Sequence, residues 1–377
     1  MTDFDFDESL LQVKSYDVLG KLPDLFTFAD GGKVSTPADW QKRRAEIFPA
    51  AVELQYGTQS GAPDRLTVEP LYVTSRDRRG YRVISQIGDK EIAFTLYLFL
   101  PNGVKNPPVV VDGDRCWNYA FDAEWLNAFL DKGIALALFD RTELAHDVDS
   151  ERDRRGPLYG AYPDRTFGAI GAWAWGYSRA VDALEIIGGV DLNLVAFTGH
   201  SRGAKTAMLA GVLDERAAIV CPNETNCGAC GCYRIHMSAE VGGELHRSET
   251  LADMVNHFPE WLGEGMKPYA EREQDLPFDC HFLKALVAPR TLIVAEACDD
   301  IWTNPIGSWQ TSMAAKEAYR LLGCEENLLW YFRRGRHAHR VTDVKMLVSV
   351  ICAKRDGTPL DTSDFFKKPF PDYEKIY

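Results

Sequence analysis

The sequence predicts an α/β fold in three layers, a mostly parallel central sheet with helices on both faces. Two observations carry this. From about residue 107 onward, short apolar runs alternate with helical patterns, which is how a parallel sheet with crossover helices is written. In the middle of that alternation, Val195-Ala196-Phe197-Thr198 runs into Gly199-His200-Ser201-Arg202-Gly203 and continues as an Ala-rich helix to about Met208, so a serine stands on a tight strand-to-helix turn.

Composition bounds the rest. The chain has 377 residues, 46% hydrophobic and 26% charged, with a net charge of −13. This is ordinary globular composition, large enough to bury a substantial core. The acidic balance gives the wrong sign for long-range attraction to phosphate, so neither nucleic acid nor an anionic membrane is expected as a partner. No apolar run approaches the length of a membrane span. The amino terminus, Met1 to Ser9, carries Asp3, Asp5, Asp7 and Glu8 where an export signal would be basic and then apolar, which leads to the expectation of a cytoplasmic protein, or of a secreted or periplasmic one from which the signal has been removed. The nine cysteines are expected to be reduced core thiols. Cys227, Cys230 and Cys232 form the one Cys-x-x-Cys-x-Cys group, and no suitably spaced second Cys/His pair accompanies it to make a zinc site.

In chain order, residues 1–65 are expected to be an irregular wrapping segment with one helix from about Thr36 to Val52, where Thr36 caps and Pro37 opens the first turn. Residues 66–377 are expected to form the catalytic domain. Alternating stretches at Tyr81–Ser85 and Ile92–Leu100 predict antiparallel strands. Pro107–Val111 predicts a short buried strand, Ala123–Lys132 a helix and Gly133–Phe139 another buried strand. Arg141 to Thr166 is polar, without an apolar period, and is expected to be a surface loop. The helix at Ile170–Ile187 leads into the strand before Ser201. Arg216–Pro222 and Ala288–Ala297 predict the next two strands, and residues 230–288 between them predict a cap-like insertion. Asn327–Phe332 predicts the last strand and Val344–Cys352 the closing helix.

A serine hydroxyl needs a base to take its proton and a carboxylate to orient that base. The turn at Ser201 has the form of the nucleophile elbow of the α/β-hydrolase fold: glycines two residues to either side relieve crowding, and the Arg202 backbone N–H is free to face an oxyanion. In this fold the partners follow at later strand ends. Arg333-Arg334-Gly335-Arg336-His337-Ala338-His339 follows the last strand; His337 is the expected base, with His339 its competitor. His200, adjacent to the serine on the turn, is expected to pack beneath it. For the acid, Glu224 follows one strand and Asp299 with Asp300 the next, and position alone does not choose between them.

Several motifs in one order carry a resemblance. Thr198 to Ala207, Ala172 to Ala180, Phe258-Pro259-Glu260-Trp261, Leu286 to Arg290 and Asp300-Ile301-Trp302-Thr303-Asn304-Pro305 resemble the glucuronoyl esterases of carbohydrate esterase family 15, over about residues 160–345. The resemblance implies hydrolysis of the ester between (4-O-methyl-)glucuronic acid on xylan and a lignin alcohol. It assigns Ser201 as nucleophile, His337 as base, Glu224 as acid and Arg202 as an oxyanion donor. It gives sugar binding to Lys205, Glu249 and Trp302, and implies neither cofactor nor metal. The fungal members carry a cysteine before the nucleophile, bridged to one near the histidine; His200 stands there in this chain. The expected partner is a glucuronate ester, small or on an oligosaccharide. An acetyl esterase of acetylated sugars would use the same three residues without needing the Lys205–Glu249 pair, and a non-catalytic hydrolase-fold binding protein is the alternative outside the enzymes.

Overall fold

The computed structural model describes residues 11–74, 77–148, 154–368 and 370–377. The first strand, β1 (Gln12–Val18), is followed by helix α1 (Pro37–Phe48). Thr36 caps that helix reciprocally with Asp39, and Pro37 occupies its first turn. Three strands then run antiparallel: β2 (Arg65–Val73), β3 (Arg78–Ile87) and β4 (Lys90–Phe99). From there strands and helices alternate: β5 (Pro108–Asp112), α2 (Ala123–Leu130), β6 (Ala135–Phe139), α3 (Pro157–Ala161), α4 (Ala169–Ile187), β7 (Asp191–His200), α5 (Arg202–Leu213) and β8 (Ala217–Asn223). A hairpin, β9 (Ile235–Val241) and β10 (Glu244–Arg247), precedes α6 (Leu251–His257) and α7 (Cys280–Val287). The chain closes through β11 (Thr291–Ala297), α8 (Pro305–Leu321), β12 (Leu328–Arg333) and α9 (Val341–Asp356).

Nine strands form one sheet in the order β12-β11-β8-β7-β5-β6-β4-β3-β2, parallel from β12 to β6 and antiparallel beyond it. The pleat divides its residues between two cores. Val109, Val111, Leu292 and Val294 meet Trp173 of α4, Met208 of α5 and Phe282 of α7 on one face. Val110, Ile293 and Ala295 meet Trp125 and Phe129 of α2 and Leu347 and Ile351 of α9 on the other. Burial on both faces is why these strands read as unbroken apolar runs rather than as alternation. This is the three-layer α/β-hydrolase arrangement expected from the sequence.

Three elements differ from expectation. The lead-in is not irregular throughout: β1 pairs antiparallel with β9, which pairs with β10 in a separate three-stranded sheet. Helix α8, between the last two strands, was not expected, and its buried face of Ile306, Ala315, Ala318 and Tyr319 is broken by buried Ser308, Gln310, Thr311 and Ser312. The stretch from Arg141 is a surface loop only in part: Arg141, Leu144, Ala145 and Leu158 are buried and Pro157–Ala161 is helical, whereas Pro163 to Thr166 are exposed; residues 149–153 of that stretch lie outside the described residues. Charge misleads here, since a charged side chain can enter a core when it is paired. Among the described residues no helix is long and apolar enough to cross a membrane.

Candidate active site

Four neighbouring parallel strands, β7, β8, β11 and β12, deliver Ser201, Glu224, Asp300 and His337 beyond their carboxyl ends, where open α/β sheets hold their ligands. Ser201 has φ 59° and ψ −118°, a strained conformation held by its N–H bonding to the Asn223 carbonyl at 3.0 Å. The flanking glycines are required by space: a Cβ on Gly199 would lie 2.5 Å from the Gly203 carbonyl oxygen, and one on Gly203 would overlap the Asp114 carboxylate. As the first residue of α5, Arg202 has a backbone N–H with no acceptor inside the helix.

His337 meets two carboxylates. Its Nδ1 lies 2.5 Å from Asp300 Oδ2 and 3.4 Å from Glu224 Oε2. The carboxylate of the neighbouring Asp299 instead accepts the Cys298 thiol at 3.4 Å, so the strand-end acid turned toward the histidine is Asp300. Glu224 also has a left-handed backbone, φ 50°. Its Oε2 accepts the Ala338 N–H at 2.9 Å and its Oε1 is bonded by the buried guanidinium of Arg333, which pairs on its other side with Asp343 at 2.6 Å. Burial works against the imidazolium of His337, but the hydrogen bonds to Asp300 and Glu224 outweigh it and lift the ring to about 10. Burial likewise pushes Glu224 up, against His337 and Arg333, which hold it down. The protonation of His337 and that of Glu224 are therefore linked. His339 has no such partners: it lies edge-on to Tyr119 and Trp125, and burial with Arg333 nearby pushes it down to about 3.

His200 does not pack beneath the elbow. Its ring lies beside that of His337, centroids 4.4 Å apart, with Nδ1 2.8 Å from Asn223 Oδ1. Burial, then the neighbouring His337 and His339, keep it neutral. Ligand-type atoms of His200, Glu224 and His337 fall within 4.8 Å of one another, but Glu224 already accepts an N–H on each oxygen and touches a guanidinium that would repel a cation. The thiols of Cys227, Cys230 and Cys232 are buried and unbridged, and burial raises each of them.

Ser201, Arg202, Lys205, Glu249, Trp302 and His337 line one cleft of about 140 Å³. Lys205, one helical turn beyond the serine, is buried with Nζ 2.9 Å from Glu249 Oε2 and 2.5 Å from the Cys227 carbonyl. Burial raises Glu249, and Lys205 opposes that rise. Trp302 is 39% exposed and forms an aromatic wall. The Asn226 carboxamide, which the sequence did not single out, donates to the backbone carbonyls of Glu249 at 2.8 Å and Trp302 at 2.9 Å. Arg202 lies over Trp261 and Phe258, 4.6 Å and 4.9 Å from the ring centroids. All seven residues singled out for the site thus gather around this cleft. The sequence missed Arg333, although an arginine ending the apolar run Leu328–Phe332 was a visible signal.

The elbow, the sheet and the acid-held histidine define an α/β-hydrolase with a serine-centred site. A family model described as glucuronyl esterase, fungi, matches residues 83–323, and the chain belongs to this glucuronoyl esterase family. It is 30% identical over 327 residues to the 4-O-methyl-glucuronoyl methylesterase of Podospora anserina, covering 85% of this chain and 64% of that enzyme. The chain therefore spans just under two thirds of that relative's length. A family 15 glucuronoyl esterase from Caldicellulosiruptor kristjansonii superposes with a TM-score of 0.82 at 28% identity, covering 95% of this chain and 96% of its own. A glucuronoyl esterase from Sporotrichum thermophile, solved as a variant in complex with methyl 4-O-methyl-β-D-glucopyranuronate, superposes at 0.74 with 25% identity, covering 92% and 91%. None of these likenesses supports the cytoplasmic placement suggested by the amino terminus.

Proposed function

We propose that the chain hydrolyses esters of (4-O-methyl-)glucuronic acid through an acyl-enzyme on Ser201. The observation that carries this is the sharing of one cleft by a serine elbow, an acid-held histidine and a buried Lys205–Glu249 pair walled by Trp302. With Nδ1 of His337 turned to the carboxylates, Nε2 is the atom left to take the Ser201 proton and pass it to the departing alcohol. Ser201 Oγ attacks the uronoyl carbonyl while Glu224 and Asp300 hold the imidazolium that forms. The backbone N–H of Arg202 and its guanidinium stabilise the tetrahedral oxyanion. Collapse expels the alcohol, and a water activated by His337 then releases the uronic acid. Lys205 and Glu249 grip ring hydroxyls from the edge, and Trp302 covers an apolar face of the sugar. The same proposal takes residues 66–377 as the catalytic unit, residues 1–65 as a wrapping segment and residues 230–288, which contribute Glu249, Phe258 and Trp261, as the cap.

The test is the initial rate on methyl and benzyl glucuronate beside 4-nitrophenyl acetate and an acetylated xylo-oligosaccharide, with Ser201→Ala as the blank. Preference for the glucuronate esters, lost in the variant, is the expected result. Turnover of acetyl esters alone would keep the serine chemistry and overturn the substrate.

A further inference from the structure

Arg202 is tied down by more than its place on α5. Its Nη1 donates to Asp147 Oδ1 at 2.9 Å, an oxygen that also accepts the Trp261 indole N–H at 3.3 Å. Asp147 Oδ2 accepts Arg141 Nη2 at 3.2 Å. Arg141 is fully buried over the Trp173 ring, and its Nη1 donates to Asp114. Asp114 in turn accepts the His200 backbone N–H at 2.8 Å. A chain of alternating charges, Arg202, Asp147, Arg141 and Asp114, therefore begins at the side chain just after the nucleophile and ends at the backbone just before it.

A donor stabilises developing charge only if it is already aimed when the charge appears, and an arginine on a flexible stem is not aimed by its backbone. A guanidinium is planar, so fixing one N–H on Asp147 while the ring of Trp261 lies against its face sets the direction of the remaining N–H groups. We propose that Asp147 is the positioning residue for Arg202, holding its guanidinium toward the oxyanion and anchoring it through Arg141 to the same turn that presents Ser201. This rests on the reading of Arg202 as an oxyanion donor.

A double-mutant cycle in the full chain tests it. kcat and KM are measured for wild type, Asp147→Ala, Asp147→Asn, Arg202→Ala and the Arg202→Ala/Asp147→Ala double variant, on benzyl glucuronate and on 4-nitrophenyl acetate. Losing an oxyanion donor outright costs about 10²- to 10³-fold in kcat, so Asp147→Ala is expected to cost roughly 10- to 100-fold with KM within about twofold. Asp147→Asn, whose amide oxygen still accepts from Nη1, should retain more activity. In the Arg202→Ala background, removing Asp147 should cost less than about threefold. An undiminished loss in that background, with Arg202→Ala itself impaired, would overturn the positioning role and leave Asp147 as a counterion of Arg141. Wild-type kcat in Arg202→Ala would overturn the oxyanion reading instead. If Asp147→Ala does not fold, the cycle is run with Asp147→Asn and the same two outcomes decide. Because the oxyanion forms on any ester, the acetate arm decides the question even if the glucuronate substrate is wrong.

Discussion

Replacing each carboxylate beside His337 separately should split a role that a single acid performs in most serine hydrolases. Where one aspartate holds the histidine, its amide variant loses about 10⁴ in kcat. Here Nδ1 lies 2.5 Å from Asp300 and 3.4 Å from Glu224. Since attraction falls with the inverse of distance, Glu224 offers about three quarters of the pull of Asp300, before the guanidinium of Arg333 cancels part of its charge. Two partners of comparable strength divide the four decades, so Asp300→Asn should lower kcat about 10²-fold, Glu224→Gln somewhat less, and the double variant about 10⁴-fold. The two should differ in stability. Glu224→Gln weakens the counterion of buried Arg333 and should lower the melting midpoint, whereas Asp300→Asn leaves that pair untouched. Steady-state rates on benzyl glucuronate with thermal melts of the same samples read both quantities. Wild-type kcat in Asp300→Asn together with a loss of about 10⁴ in Glu224→Gln would refute the division and make Glu224 the sole orienting acid.

The raised pKa of His337 has a signed consequence for rate: the neutral ring is the base, so kcat/KM should rise with pH along a limb lying above the ordinary 6.5, toward about 10, and Asp300→Asn should move that limb down. A limb unchanged by that substitution would show that Asp300 does not set the basicity. The same shift stabilises the folded chain below about 6.5, a contribution lost as pH climbs through about 10, which chemical denaturation across that window would detect. Lys205→Met should leave Glu249 buried without its ion, costing about 3–5 kcal/mol of stability, and should raise KM for glucuronate esters more than for 4-nitrophenyl acetate; equal effects on both would remove Lys205 from sugar binding. Gly203→Ala forces a methyl group onto the Asp114 carboxylate and should cost roughly 3 kcal/mol in a denaturant titration, while an unshifted midpoint would mean the elbow can relax.

What the sequence displayed and what it hid divide along physical lines. Strands β5, β6 and β11 were legible because burial on both faces leaves a continuous apolar run, with polar residues only near the ends of β5 and β11. The elbow was legible because Gly199 is demanded by the Gly203 backbone four residues on, even though Gly203 itself is demanded by the distant Asp114 carboxylate. Strand β1 was not, since it is half exposed and its pairing partner β9 lies more than 200 residues further on. Helix α8 was hidden for a different reason. Its buried face, which carries Ile306, Ala314, Ala315, Ala318 and Tyr319, is interrupted by Ser308, Thr311 and Ser312, which together take the ammonium of buried Lys284 at 2.7–2.9 Å, so its apolar period is broken. A polar face can be buried when it is saturated with hydrogen bonds, and hydropathy cannot distinguish that face from one turned to water.

The same limit governs the site. Ser201 and His337 were readable from the elbow and from a strand end, whereas the choice of Glu224 and the roles of Arg202, Lys205, Glu249 and Trp302 came from the resemblance. The residues that aim them were not readable, because Arg141, Asp147 and Arg333 look like solvated charges until the pairing is known. The choice between His337 and His339 shows this most directly. Two residues apart in one loop, they differ only in what meets them: Asp300 and Glu224 for the first, the rings of Tyr119 and Trp125 for the second. The first is pushed toward the charged form that a proton acceptor must reach, and the second is locked out of it. His200 completes the argument, for it stands where the resemblance places a bridging cysteine in the fungal members. Its ring lies 4.4 Å from that of His337, so a contact between aromatic rings joins the histidine loop to the elbow without a covalent link.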